Sequence, residues 1–366
     1  MGITSLPMTT WSKLTTLMIS NAREMITRDE VNAIGKRFPS LTKLQLYPWQ
    51  DPESTRMVFD CYPWMNSIDI VKISSAFNIA YYQHKPRRTG NGVTNIDIRV
   101  YSMKDDDWKY LIHILREHSL TLEWMYVYVV VVNVHEEVHN IKYPCLKHLI
   151  LDHSGWWIPR NAPMLEDLEI QQLSYCLEVR VVPDTASPKL KRLQVHRDCP
   201  THTGDTPPLE RYLHQLAQHA QLQDLDVTLY SLERIDHILD AMLHLGSLVR
   251  LMMFVTSDWG STSMHRFLAG LSKGCPKLSS LGISCHNAPS ACSMNALKQL
   301  LHLERFGFSI EGMDSDDAFW HAIETFPQLK SIYIFPSNET NIRRLRYLKE
   351  KRPDLKITIS RRLNDI

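Results

Sequence analysis

The sequence predicts an α/β solenoid in which short parallel strands line a concave face while helices and loops cover the convex one. Three observations predict it. A spacing of the form apolar-x-x-apolar-x-apolar recurs along nearly the whole chain, a proline stands two residues before the first apolar position of many copies, and segments of helical periodicity fall between the copies. A strand–helix unit of this size cannot bury its apolar face alone and does so by stacking on its neighbours.

The spacing begins at Leu14/Leu17/Ile19 and returns at Leu41/Leu44/Leu46, Met65/Ile68/Ile70, Val93/Ile96/Ile98 and Leu122/Met125/Val127. It continues at Leu146/Leu149/Leu151, Leu165/Leu168/Ile170, Leu190/Leu193/Val195 and Leu222/Leu225/Val227. Further copies stand at Leu248/Leu251/Met253, Leu278/Leu281/Ile283, Leu303/Phe306/Phe308 and Leu329/Ile332/Ile334, and a degenerate one at Leu355/Ile357/Ile359. From Leu14 to Leu355 the intervals average about 26 residues, inside the leucine-rich-repeat window of roughly 20–29, so about 13–14 repeats are expected. The second and third apolar positions alternate with variable ones, which is strand periodicity. Pro39, Pro144, Pro163, Pro188, Pro276, Pro327 and Pro353 each precede a first position by two, where proline stops a helix and sets up an extended segment.

Between the strands, helical periodicity marks 105–118, 209–219, 232–245, 264–273, 294–303 and 316–326. Ser231-Leu-Glu-Arg and Asp314-Ser-Asp-Asp read as helix N-termini, with capping oxygens and early acids. Only 19 residues separate Leu146 from Leu165, too few for a helix, so Gly155-Trp156-Trp157 reads as an irregular convex loop with the tryptophans plugging the flank. The stretch 197–208, rich in Pro, Thr and Gly, reads as a mobile loop. The domain reading is one repeat domain over 11–366 behind an N-terminal stub, 1–10.

Composition limits the functions open to such a chain. Lys plus Arg number 41 and Asp plus Glu 40, so no global field draws the protein to nucleic acid or anionic lipid. The basic stretch from Arg343 to Arg362 reads as a solvated cap. The most apolar run, Met125 to Val134, is about half the length a membrane helix needs and suits a buried strand. No positively charged segment with a long apolar run opens the chain, and the seven cysteines are scattered without a CxxC pair. These point to a reduced protein of cytoplasm or nucleus.

On each strand the residues flanking the second and third apolar positions point away from the core, onto the concave face. Early copies offer Lys43, Gln45, Tyr47, Asp69, Asp97 and Arg99; Asp152, His196, Met252, Arg305, Tyr333 and Phe335 follow later. The expected partner-binding set is central: Trp124, Tyr126, Tyr128, His148, Asp167, Glu169, Arg192, Gln194, Asp224, Asp226, Arg250 and Phe254. Aromatic residues beside acids and arginines form the mixture that concentrates binding energy in protein interfaces, with Arg192 and Arg250 as charged anchors. The competing reading of Trp124, Tyr126 and Tyr128 is structural, since their strand is apolar on both faces.

One pattern speaks for catalysis. His135-Glu136-Glu137-Val138-His139 fits H-E-x-x-H, in which a helix presents two histidines to zinc and the glutamate activates water. Glu137 stands where zinc proteases carry a bulky apolar residue, and the space before Tyr143-Pro144 holds only one or two helical turns. A solvated turn is the expectation, with zinc hydrolysis a remote alternative. No Gly-rich phosphate loop, G-x-S-x-G or kinase motif set is present, so no catalytic residue, cofactor or metal is expected.

The repeats resemble those of F-box leucine-rich-repeat proteins of the irregular fungal type. Trp11-Ser-Lys-Leu14-Thr-Thr-Leu17, Phe38-Pro-Ser-Leu41-Thr-Lys-Leu44 and Cys275-Pro-Lys-Leu278-Ser-Ser-Leu281 carry the likeness. That resemblance implies a non-enzymatic role: the repeats hold a target protein, and an F-box domain docks on the adaptor of a cullin ubiquitin ligase. An F-box would occupy about 40 residues before the repeats, where this sequence has only Met1–Thr10. A stand-alone repeat scaffold or inhibitor without a ligase role is therefore the alternative.

Overall fold

A computed structural model describes residues 11–19, 27–41, 43–46, 67–72, 77–84, 93–100, 105–129, 135–152, 155, 157–171, 185–196, 208–229, 235–255, 259–285, 289–309, 317–335 and 339–359. The chain divides into two units, Met1–Leu165 with Leu173–Pro183, and Glu166–Gln172 with Asp184–Ile366. The architecture is α/β and of leucine-rich-repeat type, with strands following one another in chain order.

The second unit shows the repeat at its most regular. Its strands are β8 (Asp167–Gln171), β9 (Arg192–Val195), β10 (Asp224–Leu229), β11 (Arg250–Val255), β12 (Ser280–Ser284), β13 (Arg305–Ser309), β14 (Ser331–Phe335) and β15 (Lys356–Ile359). Every neighbouring pair is parallel. The register follows the sequence motif column by column. Leu168, Leu193, Leu225, Leu251, Leu281, Phe306, Ile332 and Ile357 align, and so do Ile170, Val195, Val227, Met253, Ile283, Phe308 and Ile334. From β8 to β14 these two columns are buried and form the apolar face of the sheet. A register slip of one residue would turn them outward, so burial itself fixes the pairing.

The proline of each copy has a sharper role than ending a helix. The amides of Leu41, Leu146, Leu165, Leu190, Leu278 and Leu355 donate to the carbonyls of Phe38, Tyr143, Ala162, Ser187, Cys275 and Arg352, at 3.0–3.3 Å. Each is a β-turn with proline second, where its fixed φ is already correct. Leu248 and Leu303 close the same turn without proline. A carbonyl clamp follows: Lys191 and Arg192 both donate to Glu166, Gln223 and Asp224 to Lys191, Val249 and Arg250 to Gln223, and Ser279 and Ser280 to Val249.

Helices α3 (Pro208–His219), α4 (Ile235–Met242), α5 (Ser261–Gly274), α6 (Ala291–Leu297), α7 (Asp317–Glu324) and α8 (Glu339–Lys351) fall between these strands. Three end earlier than periodicity predicts, α7 by two residues and α4 and α6 by more. Leu300 and Leu303 continue the apolar spacing of α6 but belong to the turn that opens the next strand, and the same holds for Leu245 after α4. The basic C-terminal stretch begins within α8, which is anchored by buried Leu345 and Leu348. The proposed N-termini at Ser231 and Asp314, and the loop 197–207, lie outside the described residues. The Phe306 and Phe308 rings stack at 5.2 Å, and Phe319 of α7 meets Phe308 edge-on at 5.1 Å. Complete burial stabilises each such ring by about 1.5–3 kcal/mol.

The first unit contains β1 (Thr16–Ile19), β2 (Lys43–Leu46), β3 (Ser67–Lys72), β4 (Phe77–His84), β5 (Val93–Val100), β6 (Trp124–Val129) and β7 (His148–Asp152). Helix α1 (Arg28–Arg37) was not evident from apolar periodicity, yet its capping box is legible: Thr27 caps Glu30 and the Glu30 carboxylate returns to the Thr27 amide at 3.0 Å. Helix α2 (Asp105–His118) buries Trp108, Leu111, Ile112 and Leu115 as the spacing predicts. Among the described residues of this unit the parallel pattern is interrupted at one strand. Strand β4 pairs antiparallel with both β3 and β5, an extra strand inside the expected repeat from Met65 to Val93. Phe77, Ile79 and Tyr81 alternate with period two, and strand-forming residues at that period prefer a hairpin to a helix.

Candidate functional site

Alternation along each strand of the second unit puts its first, third and fifth residues on the polar face, opposite the buried columns. The first row reads Asp167, Arg192, Asp224, Arg250 across β8 to β11, in register. Alternating charge on adjacent strands locks into ion pairs. Arg192 holds Asp167 through two parallel contacts, its Nε at 2.9 Å from Oδ1 and its Nη2 on Oδ2. Arg250 Nε donates to Asp224 Oδ1 at 2.8 Å. Planar guanidinium–carboxylate pairs of this kind fix side chains that would otherwise be mobile.

The second row reads Glu169, Gln194, Asp226, Met252. His196 follows β9 and extends its ladder by one residue, the amide donating to the Ile170 carbonyl at 2.9 Å. Its ring Nε2 lies 3.1 Å from Glu169 Oε1, which also accepts from Gln171 Nε2. The hydrogen bond to Glu169 raises the pKa of His196, and the same bond holds the Glu169 carboxyl below its usual range. Asp226 differs from its neighbours. It is 8% exposed, no described residue donates a hydrogen bond to its carboxylate, and burial raises its pKa. Beside it Met252 is buried. Phe254 shares its row with Thr228 and Ser284 and is partly exposed.

The structure therefore brings together eight of the expected residues: Asp167, Glu169, Arg192, Gln194, Asp224, Asp226, Arg250 and Phe254. His196, a wider candidate left out of the central set, belongs with them. Its position one residue beyond a motif strand, opposite a glutamate two columns back, is the signal that marks it.

Trp124, Tyr126, Tyr128 and His148 form a patch of the first unit. Trp124 pairs in register with His148, Tyr126 with Ile150 and Tyr128 with Asp152. The three aromatic residues are partly exposed and His148 is exposed, so the strand is not buried on both faces. The Tyr126 hydroxyl donates to Asp152 Oδ2 at 3.4 Å.

The H-E-x-x-H segment forms a 3-10 turn over Glu136–Asn140. His135 caps it through Nδ1, Glu137 pairs with Arg116 at 2.7 Å, and His139 packs on the Trp157 ring at 5.7 Å. His135, Glu137 and His139 thus each have a structural task. Among the described residues no group of three or more His, Cys, Asp or Glu side chains is arranged to hold a metal ion. Trp157 is buried, as expected of a flank plug, and Trp156 lies outside the described residues. Among the described residues no helix is long and apolar enough to cross a membrane.

Fold and surface together define a repeat protein of leucine-rich-repeat-type fold that carries a charged, ion-paired sheet face. No protein-family model matches the chain, and no curated protein matches it. Among solved structures it is similar to a chain in the crystal structure of the Rad7 and Elc1 complex in yeast, at 13% identity and a TM-score of 0.32, covering 96% of this chain and 82% of that one.

Proposed function

We propose that this protein binds another protein through the polar sheet face of its second unit and catalyses no reaction. The observation that supports this is the Asp167–Arg192–Asp224–Arg250 row. Its side chains are partly exposed yet already held by their neighbours, so a partner meets them without the entropic cost of ordering long charged chains. Arginines beside an aromatic residue such as Phe254 match the composition of binding hot spots. The aromatic patch of the first unit is a second contact zone under this reading.

The finer proposal is that the bound protein is a substrate of an F-box-type ubiquitin ligase and that the chain is its recognition part. It is supported by the style of the repeats, above all Phe38-Pro-Ser-Leu41 and Cys275-Pro-Lys-Leu278. Purification of the tagged chain from its native cells, beside an Arg192→Glu/Arg250→Glu variant, tests both. The expected outcome is a stoichiometric partner lost from the variant, with cullin and its adaptor retained by both. Recovery of the same partners by both chains would contradict the face assignment. A lost partner with no ligase subunits would replace the ligase reading with that of a stand-alone scaffold.

A further inference from the structure

The polar face carries more negative than positive charge at one corner. Asp167, Glu169, Asp224 and Asp226 face two guanidiniums, of Arg192 and Arg250, and the His196 imidazole. Arg192 is committed to Asp167, Arg250 to Asp224, and His196 to Glu169. The remaining carboxylate, Asp226, has lost more than nine-tenths of its exposure and receives no hydrogen bond from a described residue. Its oxygens are not sealed from solvent, so an arriving donor can reach them, and a largely desolvated carboxylate without a protein donor on a surface already read as a docking face favours a cation there.

We infer that the Glu169–His196–Asp226 corner takes a cationic side chain, a lysine ammonium or an arginine guanidinium, from the bound polypeptide; this rests on the docking role proposed above. Charge selects the class. The charged groups that act on Asp226 are His196 beyond β9, Arg250 from β11, Asp224 on its own strand and Glu169 from β8, and a cation from the partner would meet the Asp226 carboxylate, which no arginine holds. The surroundings suit a long side chain. Phe254, two residues beyond Met252 (the register partner of Asp226), is partly exposed and offers apolar surface for a methylene stem or a guanidinium plane. A polypeptide cation fits better than a metal ion, because no described cluster has the arrangement a metal needs and His196 already uses its ring nitrogen on Glu169.

Selection of phage-displayed random dodecapeptides on the purified full chain tests the inference, with Asp226→Asn, Glu169→Gln and Arg192→Ala as comparison chains whose melting is measured beside the wild type. The expected result is a set of peptides sharing a fixed Lys or Arg. Their binding falls roughly tenfold with Asp226→Asn, as loss of a charge-assisted hydrogen bond implies, and falls less with Glu169→Gln. Peptides that lose binding with Arg192→Ala, carry no common cation and ignore Asp226→Asn would overturn the inference while leaving the docking face standing. Peptides insensitive to all three variants, or no enrichment at all, would overturn both.

Discussion

At the residue scale, the desolvated Asp226 carboxylate should cost stability in the free protein. Its pKa is raised by burial, so the folded state prefers the protonated form, and ionisation destabilises the fold as pH rises through the raised value. Asp226→Asn should raise the unfolding free energy at pH 7 by about 1 kcal/mol, because the neutral amide escapes the desolvation cost of the charge, and the gain should vanish below the ordinary aspartate pKa. Urea denaturation at both pH values checks this; a loss of stability at pH 7 would show that Asp226 serves the fold. His196 gives the opposite slope. Its raised pKa means that its pair with Glu169 is fully formed below about pH 6.5, down to the acid range where Glu169 protonates, and fades as pH rises through the folded value. Both groups are partly exposed, so His196→Gln should cost at most about 1 kcal/mol at pH 6 and less at pH 8. Asp226 was legible as a polar-face residue from its flanking position alone. That it is buried and unpaired was not, because the pattern assigns a face and says nothing of what surrounds a side chain.

At the element scale, the turns and helix ends fix the repeat. The Cβ that alanine would add at Gly274, the last residue of α5, would lie 2.1 Å from the Leu243 carbonyl oxygen, a backbone atom that cannot step aside. Gly274→Ala should cost about 1–3 kcal/mol, measured as a lower denaturant midpoint. Arg352 closes the last repeats by donating to the carbonyls of Glu324, Phe326 and Leu329 at 3.0–3.1 Å. Arg352→Ala leaves all three without that donor and should cost about 2 kcal/mol, whereas Arg192→Ala, which breaks a half-exposed pair, should cost less than about 1 kcal/mol. Thermal melts of the two variants side by side separate a structural arginine from a surface one. Sequence periodicity located α2 and α3 closely because each fills its interval with one apolar face. It missed α1, whose signal lies in its capping box, and it overran α4 and α6, where leucines of the following turn prolong the helical spacing. The antiparallel β4 was missed for a related reason: an expected repeat period leaves no place for an extra strand.

At the scale of the whole molecule, a spacing of three apolar residues set the alignment of strands across each unit. The motif positions became register partners in the second unit without exception, because any slip would expose two buried columns. The same logic placed the polar face, since what is not core on a strand of period two must point the other way. The aromatic and charged residues expected to form one central zone fall on two units, four on the first and eight on the second.

Isothermal titration of the protein partner recovered with the wild-type chain tests the central claim most directly, using Arg192→Glu/Arg250→Glu against Arg116→Ala, which breaks an exposed pair on the first unit. The proposed docking face requires the double variant to weaken binding at least roughly tenfold, the loss expected when charged anchors are reversed, while Arg116→Ala changes it less than about twofold. Equal affinity for the double variant and the wild type, with both folded, would contradict it.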